Sequence, residues 1–139
     1  MITRGELFGG VLSLLGRALD FRAERQNLLS TNLAHVDTPN YQAKDLEFEE
    51  ALRGAVSHGS MPMARTSPGH LGGGPIPPEE VTAEVVERED VPTRPDGNTV
   101  DIDREMSRLT ENSLLYSAGV ETLRRLYGLI KYAINEGGR

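Results

Sequence analysis

"TNLAHVDTPNY", residues 31–41, ends an apolar repeat with a polar cluster, a proline and a tyrosine. The residue before a proline is pushed out of the helical region, so a helix arriving from the N-terminal side has to stop by about Asp37. Thr38-Pro39-Asn40-Tyr41 then sets proline at the second position of a turn and asparagine at the third. A type II turn needs positive φ at that third position, and asparagine tolerates it better than most residues. Asn32, His35 and Asp37 stand where they can cap the last helical turn or bond across to neighbouring chains. Tyr41 adds a ring with a polar tip, which suits an interface. The string predicts a helix stop followed by an elbow.

Upstream of the elbow, Phe8, Leu12, Leu15, Leu19, Arg22, Gln26, Leu29, Leu33 and Val36 recur at alternating steps of four and three, and seven of the nine are apolar. A period of 3.5 favours a left-handed coil against another helix. A helix over 7–36, rising 1.5 Å per residue, is about 45 Å long. The C-terminal end repeats the pattern through Ile102, Met106, Leu109, Ser113, Tyr116, Val120, Leu123, Tyr127, Ile130 and Ile134, with Ser113 as the polar exception. Asp101 and Asp103 lie near its start, where negative charge is favoured, and "EGG" ends it.

Stripes at helical spacing usually mean core, so one reading is a helical hairpin whose seam is its own interior. Arg22, Gln26 and Ser113 inside the seam point further, because polar seam residues cost stability and serve to fix register and oligomer state.

The middle is different. All eight prolines fall between residues 39 and 95, and "SPGHLGGGPIPP" (67–78) forms neither a helix nor a central strand. "VTAEVVE" (81–87) alternates, with Val81, Ala83 and Val85 on one face, and predicts a short strand in a small hairpin or extended arm. The expected fold is mainly α: long N- and C-terminal helices in a coiled-coil-like pair (1–36 and 100–139), and an irregular Pro/Gly-rich middle (37–99) carrying at most a short β-hairpin or extended arm.

Composition narrows the function. Apolar residues make up 37% of the 139, below the roughly 45–50% of ordinary globular chains, so the core is thin. The net charge of −6 is concentrated in residues 37–99, which carry five basic and twelve acidic side chains. No basic face appears, which argues against nucleic acid as a partner. The absence of cysteine excludes disulfides, thiolate catalysis and thiolate metal sites. "LFGGVLSLLG" (7–16) is too short to span a bilayer, and the repeat runs through it to residue 36, so it is expected to remain uncleaved.

"NLAHVDTPNY" closely resembles the N-terminal signature of the bacterial flagellar axial proteins, usually close to N-L-A-N-x-x-T-P-G-Y. His35 stands where that family usually has Asn, and Asn40 where it usually has Gly. The resemblance continues in "QAKDLEFEEAL" (42–52) and returns in "DGNTVDIDREMSRLTENSLLYSAGVETL" (96–123), which is similar to the proximal rod branch of the family. It covers about the first fifty and last forty residues.

The resemblance implies a structural rod subunit of the flagellar basal body. Such a subunit is exported by the flagellar type III apparatus without a cleaved signal and polymerises in the periplasm into a helical tube that transmits torque and encloses the export channel. Its terminal helices are expected to order on assembly. The implied partners are other copies of itself, a rod-to-ring adapter protein and the MS ring, the export gate and neighbouring rod proteins. The expected interface residues are Phe8, Leu12, Leu15, Leu19, Arg22, Gln26, Leu29, Asn32, Leu33, Pro39, Asn40, Tyr41, Met106, Leu109, Tyr116, Val120, Leu123, Tyr127, Ile130 and Ile134.

Enzyme chemistry has little support. His35, His58 and His70 show no metal-ligand spacing, "GGGP" (72–75) lacks the residues of a phosphate loop, and "DGN" (96–98) is no calcium loop. The pairs Asp101/Asp103 and Glu79/Glu80 fall on a helix start and a proline-rich loop, without a pocket to raise a carboxyl pKa. No cofactor or metal is expected. The competing reading, from another class, is a soluble cytoplasmic coiled-coil adaptor or chaperone dimer.

Overall fold

The computed structural model describes residues 4–58, 77–88 and 93–136. Helix α1 spans Arg4–Ala34, strand β1 Lys44–Glu47, helix α2 Glu49–His58, a 3₁₀ turn Pro78–Glu80, strand β2 Glu84–Glu87 and helix α3 Ile102–Glu136. The mainly helical fold expected from the two repeats is present, with two long terminal helices and only a small sheet. His70 and most of "SPGHLGGGPIPP" lie outside the described residues.

Helices α1 and α3 run antiparallel. Asn32 meets Glu105, Arg22 and Gln26 meet Asn112, and Leu19 meets Gly119, so one helix climbs as the other descends. The row of α3 in these contacts is Glu105, Asn112 and Gly119, seven residues apart. The sequence reading puts two rows in the seam, one of Ile102, Leu109, Tyr116, Leu123 and Ile130 and one of Met106, Ser113, Val120, Tyr127 and Ile134. Met106, Tyr127 and Ile134 are instead 47%, 56% and 71% exposed, while Glu105 and Asn112 are buried. Leu109, Leu123 and Ile130 are half-buried, and Tyr116 is exposed.

A second row of α1 was passed over. Leu14, Phe21 and Leu28, also spaced by seven, face a small core of Phe21, Leu46, Phe48, Ala55 and Val81, with Leu52 and Ala83 beside it. Phe21 and Phe48 pack ring against ring at 5.5 Å. α2 exists because Leu52 and Ala55 share one face toward this core while Glu49 and Glu50 occupy its first turn, where acids are favoured. From sequence alone this stretch belongs to the irregular middle, since ten residues are too few for periodicity to stand out. The cluster rests on α1 and is not an independent core.

β1 and β2 pair antiparallel, with Lys44 opposite Glu87 and Glu47 opposite Glu84. The strand foreseen at 81–87 begins only at Glu84. Val81 is buried and Val85 exposed, so Val81 joins the core from the approach to the strand.

Candidate functional site: the elbow between the terminal helices

The segment after α1 turns as the proline predicts. Tyr41 N–H donates to the Thr38 carbonyl at 3.3 Å, and Asn40 has φ 58°, the left-handed conformation expected of it. What holds the elbow lies sixty residues away. Asn98, fully buried, donates from Nδ2 to the carbonyls of His35 (2.9 Å), Val36 (3.0 Å) and Thr38 (2.8 Å). The His35 and Thr38 carbonyls also accept from the backbone N–H groups of Thr38 and Tyr41, while that of Val36 takes a side-chain donor from Asn98. Its own Oδ1 accepts from Val100 N–H at 2.7 Å, and Arg94 Nη1 donates to the Val36 carbonyl at 3.0 Å.

The two turns fit together. Asn40 N–H donates to the Asp96 carbonyl at 2.9 Å, and Thr99 N–H to the Tyr41 carbonyl at 3.1 Å. Gly97 has φ 79°, and a Cβ built there would collide with Asn40 Oδ1. Only glycine meets both demands. His35 stacks on Tyr41 with ring centroids 4.6 Å apart, and its Nδ1 lies 3.1 Å from Thr38 Oγ1.

Below the turns sits a buried polar cluster. Asn32 Nδ2 donates to the Lys44 carbonyl (2.7 Å) and to Glu105 Oε2 (2.9 Å), and its Oδ1 accepts from Lys44 N–H (3.0 Å) and the Tyr41 hydroxyl (3.1 Å). Glu105 faces Arg88: Nη2 donates to Oε2 at 2.9 Å, and Nη1 lies 2.7 Å from Oε1 as an ion-pair contact out of line for a hydrogen bond. Paired this way, a carboxylate and a guanidinium are tolerated in the interior. Burial and the Glu105 charge push the Tyr41 hydroxyl above its ordinary pKa.

A second ion cluster surrounds Asp45. Arg25 holds it through Nε to Oδ1 (2.7 Å) and Nη2 to Oδ2 (2.9 Å), Arg108 Nη1 donates to Oδ2 (3.2 Å), and Leu46 N–H donates to Oδ1 (2.8 Å). Burial alone would raise this carboxyl. The Arg25 hydrogen bond and charge, the Leu46 N–H and the Arg88 charge outweigh it and hold Asp45 below the usual range. The same hydrogen bond and charge raise Arg25.

The structure places the expected interface residues unevenly. Asn32 and Leu29 are buried, Tyr41 is half-buried, and Pro39 and Asn40 are exposed on the outside of the elbow. Leu12, Leu15, Leu19, Arg22, Gln26, Leu33, Leu109, Val120, Leu123 and Ile130 are half-buried along the helix pair. Tyr116 joins Met106, Tyr127 and Ile134 among the exposed residues of α3. The Phe8 side chain lies outside the described residues. Of these residues, Asn32 and Tyr41 meet directly, and Arg22 and Gln26 meet through Asn112. Sequence reasoning missed Arg25, Asp45, Arg88, Gly97, Asn98, Glu105 and Asn112. A buried charge paired across the chain leaves no local pattern.

The arrangement is structural chemistry. Among the described residues no group of three or more His, Asp or Glu side chains is placed to hold a metal ion. Likewise, no helix among them is long and apolar enough to cross a membrane.

No protein-family model matches the chain. Similar curated proteins share one description. The flagellar basal body rod protein FlgB of Salmonella typhimurium is 40% identical over 114 residues, 76% of this chain and 79% of its own length. The protein of that name from Escherichia coli is 38% identical over 125 residues, covering 85% and 86%. The one from Bacillus subtilis is 29% identical over 131 residues, covering 94% and 98%.

Proposed function

The chain belongs to the FlgB family of flagellar basal body rod proteins, and from that premise we propose that it is a structural subunit of the proximal rod. In this reading copies of the chain polymerise into a helical tube that transmits torque and encloses the export channel. The subunit reaches the periplasm through the flagellar type III apparatus with its N-terminus uncut. It contacts other copies of itself, the rod-to-ring adapter and MS ring, the export gate and the next rod proteins.

The observation that carries the reading is the joining of the two signature stretches. Residues 32–41 and 96–105 fold against each other through Asn98, Gly97, Asn40, Asn32 and Glu105. A rod subunit needs such a joint to keep both terminal helices in one column while the middle leaves it. The exposed apolar side chains of α3 agree with burial against neighbours.

Mass spectrometry of purified hook–basal bodies from the source bacterium tests the proposal. The chain is expected in stoichiometric amounts in the membrane-proximal rod. Its absence there, with a stable cytosolic dimer instead, would overturn the proposal in favour of a coiled-coil adaptor.

A further inference from the structure

Apolar burial alone would turn α3 differently. One row of the helix is Glu105, Asn112, Gly119, Leu126 and Ala133; the row one residue further round is Met106, Ser113, Val120, Tyr127 and Ile134. The second row carries more apolar surface, yet Glu105, Asn112 and Gly119 of the first meet α1 while Met106, Tyr127 and Ile134 of the second are exposed. Bringing the second row to where the first stands requires turning α3 about its axis by about 100°, the step between consecutive residues.

We propose that Asn112 is the rotational lock that keeps the more apolar row of α3 turned outward. Asn112 is 3% exposed, and its Nδ2 donates at 2.8 Å both to the Arg22 carbonyl and to Gln26 Oε1. The first acceptor belongs to the backbone of α1, so it reports the position of the helix itself and no change of rotamer in α1 can follow a turning partner. Asn112 sits between two other contacts of its row. Seven residues to one side Glu105 is held by Asn32 and Arg88, and seven to the other Leu19 closes over Gly119.

The three layers are chemically different: a charge pair with an amide, an amide on a carbonyl, and a glycine under a leucine. A slip of one heptad would set Asn112 against Leu19, or Gly119 against the polar pair Arg22 and Gln26, so no shifted register satisfies all three. A polar residue at a seam position fixing one pairing geometry at some cost in stability is the known use of such groups. Met106, Tyr127 and Ile134 then stay outward because the alternative pairing has been made unfavourable.

The chain has no cysteine, which makes rotation readable by disulfide trapping. Two full-length reporters are made, Leu19→Cys with Gly119→Cys and Leu19→Cys with Val120→Cys, and their oxidation rates compared at low protein concentration. The 19/119 pair is expected to close faster. Adding Asn112→Ala is expected to shift the ratio of the two rates toward 19/120 by about tenfold or more, the worth of the hydrogen bonds removed. A smaller shift, with helix content by circular dichroism unchanged, would overturn the proposal. Asn112→Ser, which keeps a polar group but cannot reach both acceptors, is read in the same way and supplies the result should the alanine variant fail to fold.

Discussion

Asn32 pairs with Lys44 as a neighbouring β-strand would. Its carboxamide donates to the Lys44 carbonyl at 2.7 Å and accepts from the Lys44 N–H at 3.0 Å, reproducing the two bonds of a strand partner from a helical side chain. The contact covers the edge of β1 at its first residue and fixes α1 to the sheet. An uncovered edge is a template for unwanted pairing.

Replacing this residue therefore damages several contacts together. Asn32→Ala is expected to destabilise the fold by about 2–4 kcal/mol, because buried partners on Lys44 and Glu105 lose a hydrogen bond. Asn32→Asp should be worse near neutral pH, since a second carboxylate would face Glu105, and should recover part of the loss under acid. Urea denaturation at two pH values measures both.

Gly97 and Asn40 make a coupled pair. Gly97→Ala is expected to cost more than about 1 kcal/mol, from positive φ and from collision with Asn40 Oδ1. Asn40→Gly removes that oxygen and should relieve the collision but not the φ strain. A double-mutant cycle is expected to show positive coupling, and strict additivity would contradict the contact.

Helix termination should depend more on Asn98 than on Pro39. Asn98 donates to the carbonyls of His35, Val36 and Thr38, whereas Pro39 has no N–H to donate. Asn98→Ala is expected to lower stability by about 2–3 kcal/mol and Pro39→Ala by less, with thermal melts of the two variants as the comparison.

Acid should weaken the fold through Asp45. Its carboxyl is held below the ordinary range, so on acidification the unfolded chain takes up this proton first. The associated stability is complete above the ordinary carboxylate range and is lost as pH falls through the depressed value. Asp45→Asn should be less stable at neutral pH and show a flatter decline below it. Tyr41, shifted upward, acts at the other end, with stability lost as pH rises through and beyond the ordinary tyrosine range. Denaturant midpoints followed across pH for the parent, Asp45→Asn and Tyr41→Phe test both directions.

The long helices and the elbow were legible because each has a local cause. The seam repeats every 3.5 residues, and Pro39 with Asn40 dictates its turn through backbone geometry alone. The rotation of α3 was not legible. Periodicity ranks rows by apolar content, and by that measure Met106, Val120, Tyr127 and Ile134 outrank Glu105, Asn112 and Gly119. The row of Leu14, Phe21 and Leu28 was readable in principle, but α1 serves two partners and a single-seam reading stops at one. Asn98 was hidden for another reason: an asparagine directly after an Asp-Gly pair looks local, while its bonds run to residues 35, 36 and 38.

Those bonds also set an order of events. Synthesis runs from the N-terminal side, so the Val36 carbonyl meets its donors only once Arg94 and Asn98 exist. A chain broken off before that point closes the end of α1 through the backbone bonds of residues 31–41 alone. The pairing of that one carbonyl thus reports that the far part of the molecule has been made.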